Sequence, residues 1–247
     1  MDWREVDGVR WLEARIAGAR AAFTTRIGGL SDGRFESLNL GLLTDDDEAR
    51  VRANRLRLTA ALGRDPDGVL LGRQVHGVEV LRRELAPDPN PYARRATAPR
   101  VDGQATATGA LTAMVQVADC LPVALAGAGG VAAIHCGWRG LAGGIVERGV
   151  GEVGATAAAI GPGIGPCCYR VGPEVLAEFE PLGDGVADGP MLDLTEVTRR
   201  LLERAGVRDI DTTRLCTSCE RELFFSHRRD RGRTGRQAGL VWADGDG

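Results

Sequence analysis

Residues 118–138 read ADCLPVALAGAGGVAAIHCGW. Two apolar runs joined by the four small residues Gly127-Ala128-Gly129-Gly130 have the form of a β-hairpin. The runs 121–126 and 131–136 carry side chains suited to a buried sheet, and the glycines supply the backbone freedom of a turn. Pairing Ala126 with Val131 sets Cys120 opposite Gly137 and makes His135 its diagonal neighbour on the same face, because strand side chains alternate with period two. Diagonal partners lie roughly 7–8 Å apart at Cα and closer at Cβ, so a thiolate and an imidazole can share a metal ion across the gap. A slip of one residue would put them on opposite faces.

Outward from the hairpin, the pattern predicts helices over 46–62, 139–153, 173–180 and 195–205. In the first, Ala49, Ala53, Leu56 and Ala60 form the apolar stripe behind an Asp45 or Asp46 cap. Strands are expected near 20–25, 68–71, 75–82, 111–118, 121–126, 131–136, 156–160 and 214–217. Helices mixed with many short apolar strands imply an α/β or α+β fold around a well-buried sheet. The Pro-rich stretch 86–99 reads as a surface loop, 183–190 as a second loop, and 243–247 as a flexible tail. No repeat or linker divides the 247 residues, and 43% hydrophobic content suffices for the core of a single domain spanning 1–247.

The charge balance narrows the function. A net charge of −3 gives no reason to expect a nucleic-acid partner, and no apolar run is long enough to span a membrane. All 31 cationic side chains are Arg, so mechanisms based on a catalytic lysine or a Schiff base are excluded. Charges of both signs in the opening MDWREVDGVRW argue against an export signal, and the six Cys lack the spacing of a secreted disulfide framework. Reduced thiols and a cytoplasmic location are the expectation.

Histidine is scarce, with only three, at 76, 135 and 227. Gln74-Val75-His76-Gly77 places one beside a glycine turn, and His76, Cys120 and His135 would give a His₂Cys set that suits zinc with a fourth position free. Cys120 as nucleophile with His135 as base, without a metal, is a second functional alternative. On spacing alone the plainer alternative is favoured, with Cys120 a small core residue and both histidines structural. Other motifs are weaker. The glycines of 159–166 alternate with prolines that remove N–H donors, so a structural turn is preferred to a phosphate loop. Cys216 and Cys219 have metal-knuckle spacing that Cys167, Cys168 and His227 could complete, against ordinary thiols. Arg26 and Arg139 adjoin glycine turns in the manner of anion sites. The run 228–233 reads as a solvated or ion-paired loop.

Taken together, TTRIGGLS (24–31), SLNLG (37–41), RQVHG (73–77), ADCLPV (118–123), IHCGWRGLAGGI (134–145), IGPGIGPCCYRVGPEV (160–175), LDL (192–194) and FFSHRRDRGRTGRQAG (224–239) occur in order. The chain resembles the bacterial laccase-domain family, whose members have been called multicopper polyphenol oxidases, peptidoglycan editing factors and purine nucleoside phosphorylases. The resemblance implies a zinc site at His76, Cys120 and His135, with copper an alternative ion. It implies a four-layer α-β-β-α sandwich with central mixed sheets, similar to the catalytic domain of cytotoxic necrotizing factor. The implied activities are phosphorolysis of adenosine, inosine and methylthioadenosine, and deamination of adenosine. Arg26, Asn39 and Arg139 match motif positions near the family's site and are the candidates for binding nucleoside and phosphate. His227 departs from the family, where an aromatic residue is usual. A four-copper oxidase needs roughly ten His, and this chain has three, so laccase chemistry within one subunit is rejected. The alternative reading is a Cys–His hydrolase acting on peptidoglycan precursors. For proton transfer, Asp119 should face away from Cys120 along the strand, which leaves Asp102 as a possible alternative. Oligomeric state is not readable from the sequence.

Overall fold

The structure is a computed structural model that describes residues 1–92 and 97–244. Along the chain run β1 (Asp2–Val6), β2 (Val9–Ile16), β3 (Ala19–Thr24), α1 (Glu48–Leu62), β4 (Val69–Leu70), β5 (Val80–Arg82), β6 (Gly103–Thr106), β7 (Thr112–Val117), β8 (Leu121–Gly127) and β9 (Gly130–Cys136). Then come α2 (Trp138–Gly143), α3 (Ile145–Val153), β10 (Ala155–Ile160), α4 (Pro173–Phe179), β11 (Ala187–Asp188), β12 (Met191–Leu192), α5 (Leu194–Arg204), β13 (Asp209–Thr212) and β14 (Gln237–Ala243). One six-stranded sheet has the order β1-β2-β3-β14-β7-β4 and the other β13-β10-β8-β9-β6-β5. Both combine antiparallel with parallel pairs, so the chain is α+β with mixed sheets.

The β8–β9 hairpin has the expected register: Ala126 pairs with Val131 and Leu121 with Cys136. Alternation divides its side chains between two cores. Leu121, Val123, Leu125, Ala132 and Ile134 pack with Ile145, Val146 and Val150 of α3. Ala124, Ala126, Val131 and Ala133 face the other sheet, meeting Leu12, Ala21, Phe23, Val115 and Val241. The small side chains there allow close approach of the two sheets. Two glycines complete the fit, since a Cβ on Gly161 would lie 2.2 Å from the Phe23 ring and one on Gly239 2.5 Å from Pro122. On its far side the first sheet packs Trp11, Met114, Leu240 and Trp242 with Leu58 of α1, Leu38, Leu40 and Tyr92.

The structure corrects several expectations. Helix α1 is capped by Asp47, and its inward face is Val51, Asn54, Arg55, Leu58 and Thr59, while Leu56 is exposed. Polar groups outweigh the apolar stripe because loop carbonyls need donors: Asn54 bonds the carbonyls of Ser37 and Asn39, and Arg55 those of Leu40, Pro91 and Tyr92. The helix expected over 139–153 is broken at Gly144, which has φ +96° and serves as the C-cap of α2. Of the strand expected over 75–82 only β5 forms. No strand covers 214–217, where Cys216 makes one isolated bridge to Gly163. The loop 183–190 contains half of the β11–β12 hairpin. In the Pro-rich segment Asn90 and Tyr92 are buried, not on the surface, and 93–96 lie outside the described residues. Ala243 ends β14 paired with Ala19, and the Asp244 N–H bonds the Gly18 carbonyl, so neither position is a free tail; 245–247 lie outside the described residues. Among the described residues no helix is long and apolar enough to cross a membrane.

The inter-sheet fit is testable. Gly161→Ala forces a methyl into the ring of the buried Phe23, and overpacking of this kind costs about 1–3 kcal/mol. The expected result is a lower denaturant midpoint with an unchanged slope; an unchanged midpoint would mean the ring moves aside without strain.

Candidate metal centre

The segment that carries His76 is tied to the first sheet by its own glutamine. Gln74 donates through Nε2 to the Gln116 carbonyl (2.7 Å) and accepts the Gln116 N–H through Oε1 (2.8 Å), so the side chain imitates a neighbouring strand beside β7. His76 itself has φ +60°, a left-handed conformation that costs a non-glycine residue roughly 1–2 kcal/mol. Asp102 supports the strained turn. Its carboxylate accepts the N–H groups of Val75 (3.1 Å), His76 (2.9 Å) and Gly77 (2.8 Å).

The same carboxylate accepts Nδ1–H of His135 at 2.9 Å. Holding the proton on Nδ1 leaves Nε2 of His135 as the free donor atom, the arrangement found when a metal-ligating imidazole is oriented by a carboxylate. His135 lies near the end of β9, and Cys120 immediately precedes β8, so the hairpin register brings them together as the diagonal argument requires. Gly137 completes the pocket floor, since a Cβ there would come within 3.0 Å of Cys120 Sγ and 3.1 Å of the His76 ring.

The donor atoms of His76, Cys120 and His135 all lie within 4.8 Å of one another. Cys120 Sγ is 3.9 Å from His76 Nε2, and the two imidazole rings meet edge to face with centroids 4.8 Å apart. Bonds of about 2.0–2.3 Å to a tetrahedral ion separate its ligand atoms by roughly 3.3–3.8 Å. With Cys120 Sγ and His76 Nε2 3.9 Å apart and all separations within 4.8 Å, the three donor atoms are close enough to converge on one metal ion by small side-chain movements. Burial alone would raise the Cys120 thiol, but attraction to His135 and hydrogen bonds from both imidazoles outweigh it and bring the pKa to about 6. Burial likewise opposes charge on His135, yet Cys120 and Asp102 together raise it to about 9. The site is therefore ready to offer a thiolate at neutral pH.

These groups open on a cleft of about 560 Å³. Its cationic lining is Arg73, Arg139, Arg228 and Arg236, with Trp138 and Tyr169 as aromatic walls. The Arg139 guanidinium lies 4.4 Å over the Trp138 ring, and that of Arg228 lies 5.2 Å from the Tyr169 ring centre. Arg236 donates to the carbonyls of Thr234 and Gly235, and its backbone N–H bonds Asn39 Oδ1 at 2.8 Å.

The structure thus brings together His76, Cys120, His135 and Arg139 in the cleft, which Asp119 also lines, and places Arg26, Asn39 and Asp102 away from it. Arg26 turns away, donating to the carbonyls of Glu36 and Arg221 under the ring of Phe225, and lines a second cavity with Arg34 and Arg221. Asn39 is fully buried: its Oδ1 accepts the backbone N–H groups of Arg236 and Gly41, and its Nδ2 donates to the Thr44 hydroxyl, instead of facing the cleft. Asp119 does point away from the thiol, accepting Thr217 Oγ1–H and the Arg228 N–H. Asp102 lies behind His135 with no exposed surface, so it orients the imidazole and does not reach a substrate as a proton carrier. Arg73, Arg236 and Tyr169 were not singled out from the sequence, and Arg228, expected in a solvated or ion-paired loop, lines the cleft. Among 31 arginines no spacing distinguishes those that line a cleft.

Residues 20–244 match the family described as multi-copper polyphenol oxidoreductase laccase. The chain is 39% identical to the purine nucleoside phosphorylase YlmD of Geobacillus stearothermophilus, over 92% of this chain and 90% of that protein. It is 37% identical to the purine nucleoside phosphorylase YfiH of Escherichia coli, over 91% and 94%. The crystal structure of YlmD from Geobacillus stearothermophilus superposes with a TM-score of 0.86 and 35% identity, covering 97% of each chain. That of Bacillus licheniformis YfiH gives 0.85 and 33%, covering 97% and 98%.

Because Asp102 holds the His76 turn and the His135 ring at once, Asp102→Asn is expected to weaken metal binding at these ligands about 10–100-fold, the usual loss for an outer-shell carboxylate. Competition against a chelating dye measures this, and unchanged affinity would remove Asp102 from its supporting role.

Proposed function

Because the chain belongs to the multi-copper polyphenol oxidoreductase laccase family, we propose that it is a zinc-dependent purine nucleoside phosphorylase acting on adenosine, inosine and methylthioadenosine, with adenosine deamination as a side activity. The observation that carries this reading is the His76–Cys120–His135 cluster at the floor of a cleft lined by four arginines and two aromatic side chains. Its volume suits a nucleoside with a phosphate beside it. In phosphorolysis a phosphate oxygen bonds to the ribose C1′ as the bond to the purine N9 breaks. The electron pair leaves on the base, which takes a proton, and the products are free purine and ribose 1-phosphate.

Arg139, Arg228 and Arg236 are the groups to hold and neutralise the attacking phosphate, with Trp138 and Tyr169 bounding the nucleoside. Asn39 contributes by fixing the backbone of Arg236. His76, Cys120 and His135 would hold the zinc, with copper as a competing ion. When bound, the ion supplies a Lewis acid beside the substrate. Asp119 is the one carboxylate lining the cleft among the described residues, and both its oxygens are already engaged. The family's oxidase label does not extend to four-copper chemistry here, because three histidines cannot supply it. The reading takes residues 1–247 as one domain of four-layer α-β-β-α form, similar to the cytotoxic necrotizing factor catalytic domain, at work in the cytoplasm.

A second reading is supported by the ionised character of Cys120 beside His135, with Asp102 behind it. That order of groups is the arrangement of a cysteine hydrolase, and its candidate substrate is an amide of a peptidoglycan precursor.

Incubating the zinc-loaded protein with adenosine and phosphate separates the two. The expected products are adenine and ribose 1-phosphate, with slow phosphate-independent formation of inosine, and Cys120→Ala should lose turnover together with the ion held by His76 and His135. Arg236→Ala should raise the phosphate KM about tenfold or more, the effect of losing a charge-assisted hydrogen bond of ~1.5–3 kcal/mol. Adenosine left intact, together with hydrolysis of a cell-wall precursor, would overturn the phosphorylase reading in favour of the second.

A further inference from the structure

Away from the cleft a second group of potential ligands assembles. The sulfur atoms of Cys167, Cys168, Cys216 and Cys219 all lie within 4.8 Å of one another. The first pair belongs to the loop after β10 and the second to the loop after β13, regions joined by the Gly163–Cys216 bridge and by Thr217 N–H donating to the Gly163 carbonyl at 2.9 Å. Cys219 is the hub, with its Sγ 3.6 Å from that of Cys167 and 3.5 Å from that of Cys168. All four are free thiols. A disulfide holds its sulfurs at about 2.05 Å. A tetrahedral zinc with Zn–S bonds of about 2.3 Å holds them roughly 3.8 Å apart. The two separations from Cys219, 3.5 and 3.6 Å, are close to the second geometry, and the others stay within 4.8 Å.

The surrounding backbone suits a thiolate cage. The turn Cys216-Thr217-Ser218-Cys219 is closed by the N–H groups of Cys219 (3.1 Å) and Glu220 (2.9 Å) on the Cys216 carbonyl. Gly165 N–H points at Cys216 Sγ from 3.2 Å. A side chain at Gly165 would intrude, because its Cβ would lie 3.2 Å from Cys216 Cβ and 3.4 Å from Cys167 Sγ. Arg229, itself paired with Asp230, braces the knuckle by donating to the Thr217 and Ser218 carbonyls, at 2.9 and 3.4 Å. Such outer groups orient and support ligating side chains.

We propose that the chain holds a second metal ion, a zinc, in a closed site made by Cys167, Cys168, Cys216 and Cys219. Four soft thiolates in tetrahedral array select zinc, and sulfurs this close enclose one ion and not an iron–sulfur cluster. Each thiol releases its proton to solvent as the ion binds. With every coordination position taken by protein the site is structural. It staples together the two loops that supply one wall of the cleft: Ile164 and Tyr169 flank the first cysteine pair, and Thr217, between the second pair, bonds Asp119 beside Cys120.

Metal content per chain, measured on purified protein by mass spectrometry, tests the proposal independently of any activity. Wild type should carry two zinc ions, the double variant Cys167→Ser/Cys219→Ser one, and Cys120→Ala one. The last variant keeps all four cysteines, so it decides the matter even if the double variant does not fold. After cobalt replaces zinc in Cys120→Ala, the strong visible absorption of tetrahedral thiolate-bound cobalt should remain. No metal in Cys120→Ala would overturn the proposal, as would iron in place of zinc or a shortfall of free thiols in the denatured, chelator-treated protein. Loss of the second ion alone would leave the phosphorylase reading standing, and loss of activity alone would leave this one standing.

Discussion

One buried carboxylate sets the geometry of the metal centre. Asp102 has no solvent to solvate its charge, so it must be satisfied by donors from the protein, and it takes three backbone N–H groups and an imidazole N–H. Burial by itself would favour the neutral acid, yet the His135 bond and the backbone donors hold the pKa below the ordinary value, so the group stays ionised. The arrangement makes the two histidines interdependent. The left-handed turn at His76 and the ring orientation of His135 are both maintained by the same pair of oxygens.

The sheets supply the rest of the precision. Cys120 and His135 sit at adjoining ends of hydrogen-bonded strands, whose register is enforced by burial on both faces. His76 comes from a loop, but the Gln74–Gln116 pair anchors that loop to the first sheet as firmly as a strand neighbour would. The centre therefore draws on both sheets, with Cys120 and His135 at strand ends and His76 on an anchored loop, while Arg139 comes from α2 and Arg73, Arg228 and Arg236 from connecting loops.

Much of this was legible in the sequence where local pattern and tertiary demand agree. The 118–138 stretch contains its own turn, alternation and ligands, so the hairpin and the Cys120–His135 pairing follow from residue order. Helix α1 shows where the agreement ends. Its apolar spacing pointed to Ala53 and Leu56, but the buried face carries Asn54 and Arg55 because distant loop carbonyls require donors. Arg26 and Asn39 were placed near the site by motif likeness, and the structure assigns both to loop architecture. Arg236 and Tyr169 reach the cleft from loops whose paths no local periodicity encodes. The four cysteines were visible as a knuckle with possible partners, but only the folded loops bring their sulfurs together.

The alanine-rich face between the two sheets carries a further consequence for how this chain tolerates change. Where large side chains interlock, truncation opens a void, and most damage arises from shrinkage. Here Ala21, Ala124, Ala126, Ala133, Ala157 and Ala159 leave almost nothing to truncate, and cohesion comes from many close dispersion contacts between backbones. The asymmetry reverses: drift toward bulkier residues wedges the sheets apart and disturbs the His76–Cys120–His135 geometry assembled across them. Sequence divergence at this seam should be confined to the smallest side chains, even where neighbouring core positions exchange freely.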